Sequence, residues 1–318
     1  MDRDAGVKAR SSVKPAPMAP SSATELAEQA DSEEIAEYVE AFKAAFSGPE
    51  HQPFLWECGE PGALLIHGFA GTPAEVRPLG RVLCEAGWSA HAPLLPGFGS
   101  DIDTLFERDS EAWLNIARRA LVEMKRQHSP VLLVGYSMGA SLAIQIADEL
   151  QTDGLILVSP FWRLPFESLW LRLLSHVLQL FIRKVRPFKN VDFSDRDVRS
   201  GIHEVMPDLD LDDPEVRERI REMSVPTRIV SQVGRLGREA FRAAPTVTAP
   251  TLIIQGVQDE VVPPQNTRRL LTRVTELRGY HELPGAHNLV RAESPAWDTI
   301  VDLSLRFAGD LADQHNRG

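Results

Sequence analysis

The sequence predicts an α/β protein: a mostly parallel, doubly wound sheet with an inserted helical cap and an N-terminal extension. Three observations lead there. Short apolar runs (ALLI at 63–66, VLLV at 131–134, LILV at 155–158, TLIIQ at 251–255) alternate with amphipathic stretches long enough for helices. Strands buried on both faces read as continuous apolar runs, and parallel strands need helical crossovers between them. Between 161 and 224 this alternation stops and a long helical pattern replaces it, which marks an insertion.

Taken in order, residues 1 to about 23 are rich in Pro, Ser and Ala and read as a flexible tail. From Ser32 to Phe46 the apolar residues Ile35, Tyr38, Val39, Phe42, Ala45 and Phe46 recur at helical spacing, capped by Asp31 or Ser32 and stopped by Gly48-Pro49. This acidic-faced helix is expected to pack outside the main domain, with a partner-binding helix as the alternative. Then follow a strand at Ala63–Ile66, a helix at Glu75–Ala86, an extended piece at Ala90–Leu94 and a helix at Glu111–Arg126. A strand at Val131–Val134, a helix at Met138–Leu150 and a strand at Leu155–Val158 come next. After the insertion come a strand at Thr251–Gln255, a helix at Asn266–Val274, a short strand at Arg278–Glu282 and a closing helix at Ala296–Phe307. The division expected is an extension (1–50), a core (51–160 and 225–318) and a helical cap (161–224). Leu169, Trp170, Leu173, Leu174, Val177, Leu178, Phe181 and Ile182 give the cap a broad apolar face.

The chain has 318 residues, 43% of them hydrophobic, enough for a substantial core. Its net charge of −11 disfavours nucleic acid and anionic membrane surfaces as partners. The first twenty residues lack the apolar region of a secretory signal, and the apolar stretch from Leu169 to Val185 is interrupted by Arg172, His176, Arg183 and Lys184. A soluble, cytoplasmic protein is therefore expected. Cys58 and Cys84, the only cysteines, are too few for a disulfide framework. Two free buried thiols are expected, with a single bridge as the alternative, and no metal site.

The chemistry gathers at three places. Gly135-Tyr136-Ser137-Met138-Gly139 fits G-x-S-x-G, directly after the strand VLLV and at the head of the helix ASLAIQIADEL. A serine exposed on such a turn needs strained backbone angles, and side chains two residues to either side would collide with strand and helix. The helix N-terminus favours negative charge developing at that oxygen. Asp259 follows the strand TLIIQ, and His287 lies beyond the last strand in PGAHN. All three then sit at the carboxyl edge of the sheet, in the order serine, acid, histidine. A serine hydroxyl is a poor nucleophile until an imidazole takes its proton, and a carboxylate fixes the imidazole tautomer. Glu260 is the neighbouring alternative acid. The turn His67-Gly68-Phe69-Ala70-Gly71 is placed to aim a backbone amide across the site, so the N–H groups of Phe69 and Met138 are the expected oxyanion donors. His67, which precedes the nucleophile, reads as a structural histidine.

Two other patterns fail. Asp208-Leu-Asp210-Leu-Asp212-Asp213 lacks the glycine and glutamate of a calcium loop, and Asp213 reads as the cap of a helix with Pro214 at its first position. Pro96-Gly97-Phe98-Gly99 lacks the third glycine of a dinucleotide fingerprint.

On these residues the chain resembles the carboxylesterase and monoacylglycerol lipase group of the α/β-hydrolase superfamily. The blocks that carry the likeness are LLIHGFAGTPAEVRPLGRVLCEAGW, APLLPGFGS, VLLVGYSMGASLAI, APTLIIQGVQDEVVPP and ELPGAHNLV. The resemblance implies cofactor-free hydrolysis of a small-molecule acyl ester of short to medium chain length. It places Ser137, Asp259 and His287 as triad and Phe69 and Met138 as oxyanion amides. It departs at Phe98, where many relatives carry histidine, and in the long aromatic cap. Phe161, Trp162, Trp170 and Phe181 are candidates for lining an acyl channel, or else pack the cap on the core. The alternatives are a thioesterase, peptidase, acyltransferase or carbon–carbon bond hydrolase on the same triad, and more remotely a non-catalytic binding protein of the same fold.

Overall fold

The computed structural model describes residues 43, 46–164, 184–185, 189, 191–194, 199, 210–222 and 225–317. The expected tail, most of the helix at 32–46 and most of the cap, Trp170 and Phe181 included, lie outside the described residues. The strands are β1 (Phe54–Trp56), β2 (Gly62–Ile66), β3 (Ser89–Ala92), β4 (Val131–Tyr136), β5 (Gly154–Val158), β6 (Lys184–Val185), β7 (Val225–Pro226), β8 (Thr251–Gly256) and β9 (Leu277–Leu283). The α-helices are α1 (Pro73–Glu85), α2 (Ser110–Gln127), α3 (Met138–Leu150), α4 (Pro214–Glu222), α5 (Thr227–Ala243), α6 (Pro264–Leu271) and α7 (Trp297–Arg317).

Seven strands form one sheet in the order β1-β3-β2-β4-β5-β8-β9, and only the β1–β3 pair is antiparallel. The apolar runs explain the two-sided burial. Leu64, Ile66, Leu133, Leu155, Leu157 and Ile253 face one layer, with Trp113, Leu121, Ile144 and Leu236 from α2, α3 and α5. The alternate residues Ala63, Leu65, Leu132, Val134, Ile156, Val158 and Ile254 face the other, with Val76, Leu79 and Leu83 of α1 and Ile300 and Leu311 of α7. Each strand thus places successive side chains into opposite cores. This is the α/β-hydrolase arrangement, and it puts the carboxyl ends of β2, β4, β5, β8 and β9 along one edge. β6 and β7 pair antiparallel as a separate two-residue ladder. No helix among the described residues is long and apolar enough to cross a membrane.

Several boundaries differ from expectation. β1 has only three residues, too few for a period to show, and exists because its backbone pairs with β3. Helix α5 carries Gly234 and Gly237, which weaken a helical pattern in sequence. Its Ile229, Val233, Leu236 and Ala240 nevertheless share one buried face. A Cβ at Gly237 would stand 2.6 Å from the Trp162 carbonyl carbon, so the glycine is what lets this helix lie against the chain leaving β5. Helix α7 continues to Arg317 rather than ending at Phe307. Helix α4 begins at Pro214, with Glu215 N–H donating to Asp213 Oδ1 at 2.8 Å.

The expectation of two free thiols is corrected: Cys58 and Cys84 are joined by a disulfide, with Cα atoms 5.3 Å apart. The sequence hides the pairing because 26 residues separate the two. It becomes geometric only when the turn after β1 meets the end of α1, where a Cβ at Gly59 would stand 1.9 Å from Gly87 O. Closing a loop of this size stabilises a fold by about 3 kcal/mol. A Cys58→Ser/Cys84→Ser double variant is therefore expected to lose about 3 kcal/mol in urea unfolding. Two thiols titrating in the unreduced, unfolded wild type would overturn the bridge.

Candidate active site

Ser137 stands between β4 and α3 with φ 53° and ψ −117°, outside the regions that side chains favour. Neighbours hold it there. Its N–H donates to Val158 O of β5 at 3.0 Å, and its carbonyl accepts from Phe161 N–H at 3.2 Å. The flanking glycines are sterically required. A Cβ at Gly135 would lie 2.5 Å from Ala140 Cα, and one at Gly139 would lie 2.1 Å from Ile66 O at the end of β2. The second contact brings the head of α3 against the turn that follows β2.

His287, on the loop after β9, spans the gap between the other two groups. Its Nε2 is 2.9 Å from Ser137 Oγ and its Nδ1 is 2.8 Å from Asp259 Oδ2. Asp259 is 2% exposed. Its Oδ1 accepts from Val262 N–H at 2.7 Å, and its Oδ2 accepts from Gln255 Nε2 at 3.0 Å as well as from the imidazole. A carboxylate so placed accepts a hydrogen bond from Nδ1–H, which leaves the Nε2 lone pair facing the serine hydroxyl. Glu260, the alternative acid, is exposed. The loops carrying acid and base are pinned together. Gln258 N–H donates to Gly285 O at 3.0 Å and Gly285 N–H to Gln258 Oε1 at 2.9 Å. Tyr136 Oη donates to His287 O at 3.2 Å.

The turn after β2 lies alongside: a Cβ at Gly68 would be 3.3 Å from Ser137 Cβ. Gly68 N–H donates to Glu75 Oε2 at 2.8 Å, and Ala70 has φ 59°. Among the described residues the amides of Phe69 and Met138 donate to no protein acceptor. The Phe69 ring is 38% exposed and meets Phe98 and Trp113 edge-on at 5.5 and 6.4 Å. His67 is fully buried with both nitrogens engaged: Leu95 N–H donates to Nε2 at 3.1 Å, so Nδ1 carries the proton and donates to Gly68 O at 2.9 Å. Burial pushes its pKa down to about 4.

Of the aromatic candidates, Trp162 packs. Its Nε1 donates to Asn266 O at 2.7 Å, its ring stacks on Phe241 with centroids 4.2 Å apart, and Arg269 lies 5.8 Å above it. Phe161 adjoins the nucleophile through its backbone, its N–H on Ser137 O and its carbonyl accepting from Ser141 Oγ. Sequence reading missed Gln255, Glu75 and Tyr136. Gln255 left a signal: a polar residue ending an apolar strand run is unusual, and here it is fully buried, with Thr267 Oγ1 donating to its Oε1 at 2.5 Å. Glu75 left none, since its partner is a backbone amide seven residues away.

The chain matches the family described as serine aminopeptidase, S33, over residues 62–291. It is 24% identical over 259 residues to the thermostable monoacylglycerol lipase of Bacillus sp. (strain H-257), an alignment covering 80% of this chain and 93% of that one. It is 29% identical over 106 residues to a carboxylesterase of Bacillus subtilis (strain 168), covering 33% and 43% respectively. The monoacylglycerol lipase structure of Paleococcus ferrophilus superposes with a TM-score of 0.59 at 20% identity, covering 80% of this chain and 98% of that one.

Two outcomes follow from the geometry. Gly139→Ala forces β2 and α3 apart, an overpacking cost of about 3 kcal/mol or more. The variant is expected to lose hydrolysis and most of its thermal margin, and a wild-type melting temperature would contradict the contact. His67 is held neutral in the fold, whereas the unfolded chain protonates it near its ordinary 6.5. Its contribution is therefore complete above that value and is lost as pH falls from there towards 4. Urea unfolding of the wild type should weaken by about 2 kcal/mol more between pH 7 and 5 than that of a His67→Gln variant. Parallel curves for the two proteins would refute it.

Proposed function

The chain belongs to the serine aminopeptidase S33 family of α/β-hydrolases, and on that premise we propose that it cleaves carboxylic esters of short to medium acyl chains, in the manner of a carboxylesterase or monoacylglycerol lipase. The observation that carries this is one unbroken relay, Ser137 Oγ to His287 Nε2 at 2.9 Å and His287 Nδ1 to Asp259 Oδ2 at 2.8 Å. The names of the sequence relatives support the substrate class.

Ser137 Oγ attacks the ester carbonyl as its proton passes to His287 Nε2. The carbonyl oxygen becomes an oxyanion, which the amides of Phe69 and Met138 receive. Asp259 stabilises the imidazolium without taking its proton. The tetrahedral intermediate collapses, the alcohol leaves with the proton from Nε2, and an acyl-serine remains. Water then attacks, again deprotonated by His287, and the acid is released as Ser137 Oγ recovers its proton. Apart from the ester and the water, every group used in these steps belongs to the chain. A cytoplasmic site of action, expected from sequence, sits poorly with the Cys58–Cys84 bond, because structural disulfides persist in oxidising compartments.

The test is hydrolysis of a p-nitrophenyl ester series, with a thioester and an aminoacyl anilide beside it, by wild type and Ser137→Ala. The wild type is expected to favour the oxygen esters, and the folded variant to lose at least about a thousandfold in kcat. Preference for the anilide would move the reading to peptidase chemistry. A folded Ser137→Ala with full activity would end it.

A further inference from the structure

Residues 49–58 precede the matched family region, which begins at 62. They run beside α1 in step with it. His51 Nδ1 is 2.8 Å from Thr72 Oγ1, at the residue that caps the helix. One turn on, Arg77 donates to three carbonyls of the segment: Glu50 O at 2.8 Å, Gln52 O at 2.5 Å and Pro49 O at 3.2 Å. Its guanidinium covers the Phe54 ring at 4.6 Å, and Phe54 fills the space a side chain at Gly80 would need. Arg81 lies 5.9 Å over Trp56, and Cys58 is bonded to Cys84 in the last turn. The segment is thus tied to both ends of the helix and gripped between them.

The helix end tied by His51 is the one that carries the oxyanion turn. Thr72 follows Gly71 directly and is 1% exposed. Its hydroxyl oxygen accepts from Ala74 N–H at 3.3 Å, and its one proton is available to His51 Nδ1, 2.8 Å away. The other ring nitrogen faces an acceptor, Glu50 Oε1, at 3.6 Å, which favours the tautomer that carries its hydrogen there. In the same first turn, Glu75 holds Gly68 N–H. Between those ends the turn is held at Gly68, by Glu75 and His67, and by the Phe69 ring on Phe98 and Trp113, while Ala70 is left-handed, so the setting of the Phe69 amide also depends on where Thr72 fixes the far end of the turn. An oxyanion donor acts only when it is placed to within a fraction of an ångström.

We propose that residues 49–58 brace the oxyanion turn and that His51 is a positioning residue for the Phe69 amide, acting through Thr72. The inference rests on the reading of Phe69 as an oxyanion donor. Two variants separate the hydrogen bond from the packing. His51→Phe keeps a ring against Phe46, whose centroid lies 4.8 Å away, and removes Nδ1. His51→Asn keeps a short polar group able to accept from Thr72.

The measurement is p-nitrophenyl ester kinetics with sites counted by phosphonate titration, so that kcat refers to folded sites alone. It is paired with the inhibition constant of a trifluoromethyl ketone, whose adduct with Ser137 places an oxyanion against the Phe69 amide. His51→Phe is expected to lose about tenfold in kcat, with KM within about twofold and ketone affinity falling by the same factor as kcat. His51→Asn is expected to recover most of both. A His51→Phe enzyme with wild-type kcat per titrated site overturns the proposal, as does a kcat loss that ketone binding does not share or that His51→Asn fails to restore. A wild type inert to ester and phosphonate alike would instead sink the hydrolase reading itself, and the brace with it.

Discussion

The contact on which the rest of the site depends is the one between α3 and the end of β2. Gly139 lies so close to Ile66 O that no other residue fits there. That approach sets the head of α3, and with it the Met138 amide, beside the turn that carries Phe69. The strained Ser137 is its corollary, since a chain leaving β4 and entering a helix this near to β2 must reverse within one residue. The φ of 53° is maintained from outside by the Val158 carbonyl and the Phe161 amide, one on either side of the nucleophile. Strain of this kind costs about 1–3 kcal/mol and persists only where the surroundings over-determine it. Here sheet, helix and crossover all do.

The acid side is governed by a different necessity. A carboxylate that is almost wholly buried must have its lone pairs satisfied. Asp259 meets that demand with a backbone amide, a glutamine amide and the imidazole. Gln255 is suited to the task because it is neutral. A cation in its place would compete with His287 for the carboxylate, and an apolar residue would leave Oδ2 with a single donor. The same nitrogen lies 3.1 Å from Gly256 O and 3.0 Å from Val262 O, so its two N–H groups are shared among three acceptors and the loop bearing Asp259 closes on itself around one buried amide.

Much of this was legible in the sequence, for reasons that can be located. The four apolar runs gave the buried strands because both faces of a parallel sheet are apolar, and a polar residue inside such a run would have broken the signal. Gly135 and Gly139 were legible because the turn excludes every other residue type. Ser137, Asp259 and His287 were legible from the glycine-flanked serine and the order of the three residues, together with strand direction, since a parallel sheet puts every strand's carboxyl end on one edge. What was illegible depends on contacts between segments distant in the chain. The Cys58–Cys84 bridge and the Glu75 anchor needed the path of α1, and β1 needed a partner strand to exist at all. Helix α5 was masked by Gly234 and Gly237, the second of which serves packing against Trp162 at the expense of helical propensity.

The two histidines near Ser137 show why geometry has to decide between chemically identical candidates. His67 is buried more completely than His287, and a depressed basicity of this kind is also what catalytic tuning produces. Its hydrogen bonds rule that out. Nε2 already accepts from Leu95 and Nδ1 already donates to the carbonyl of Gly68, so the ring has neither a lone pair nor a proton to offer a substrate. Its work is to lock the first residue of the oxyanion turn to the chain entering the Pro96-Gly97 bend. His287 is built the opposite way. One nitrogen is committed to Asp259, and the other is left to the serine hydroxyl, a partner that gives up its proton when a substrate carbonyl arrives. A base must have one face unspent, and in this site only His287 keeps one.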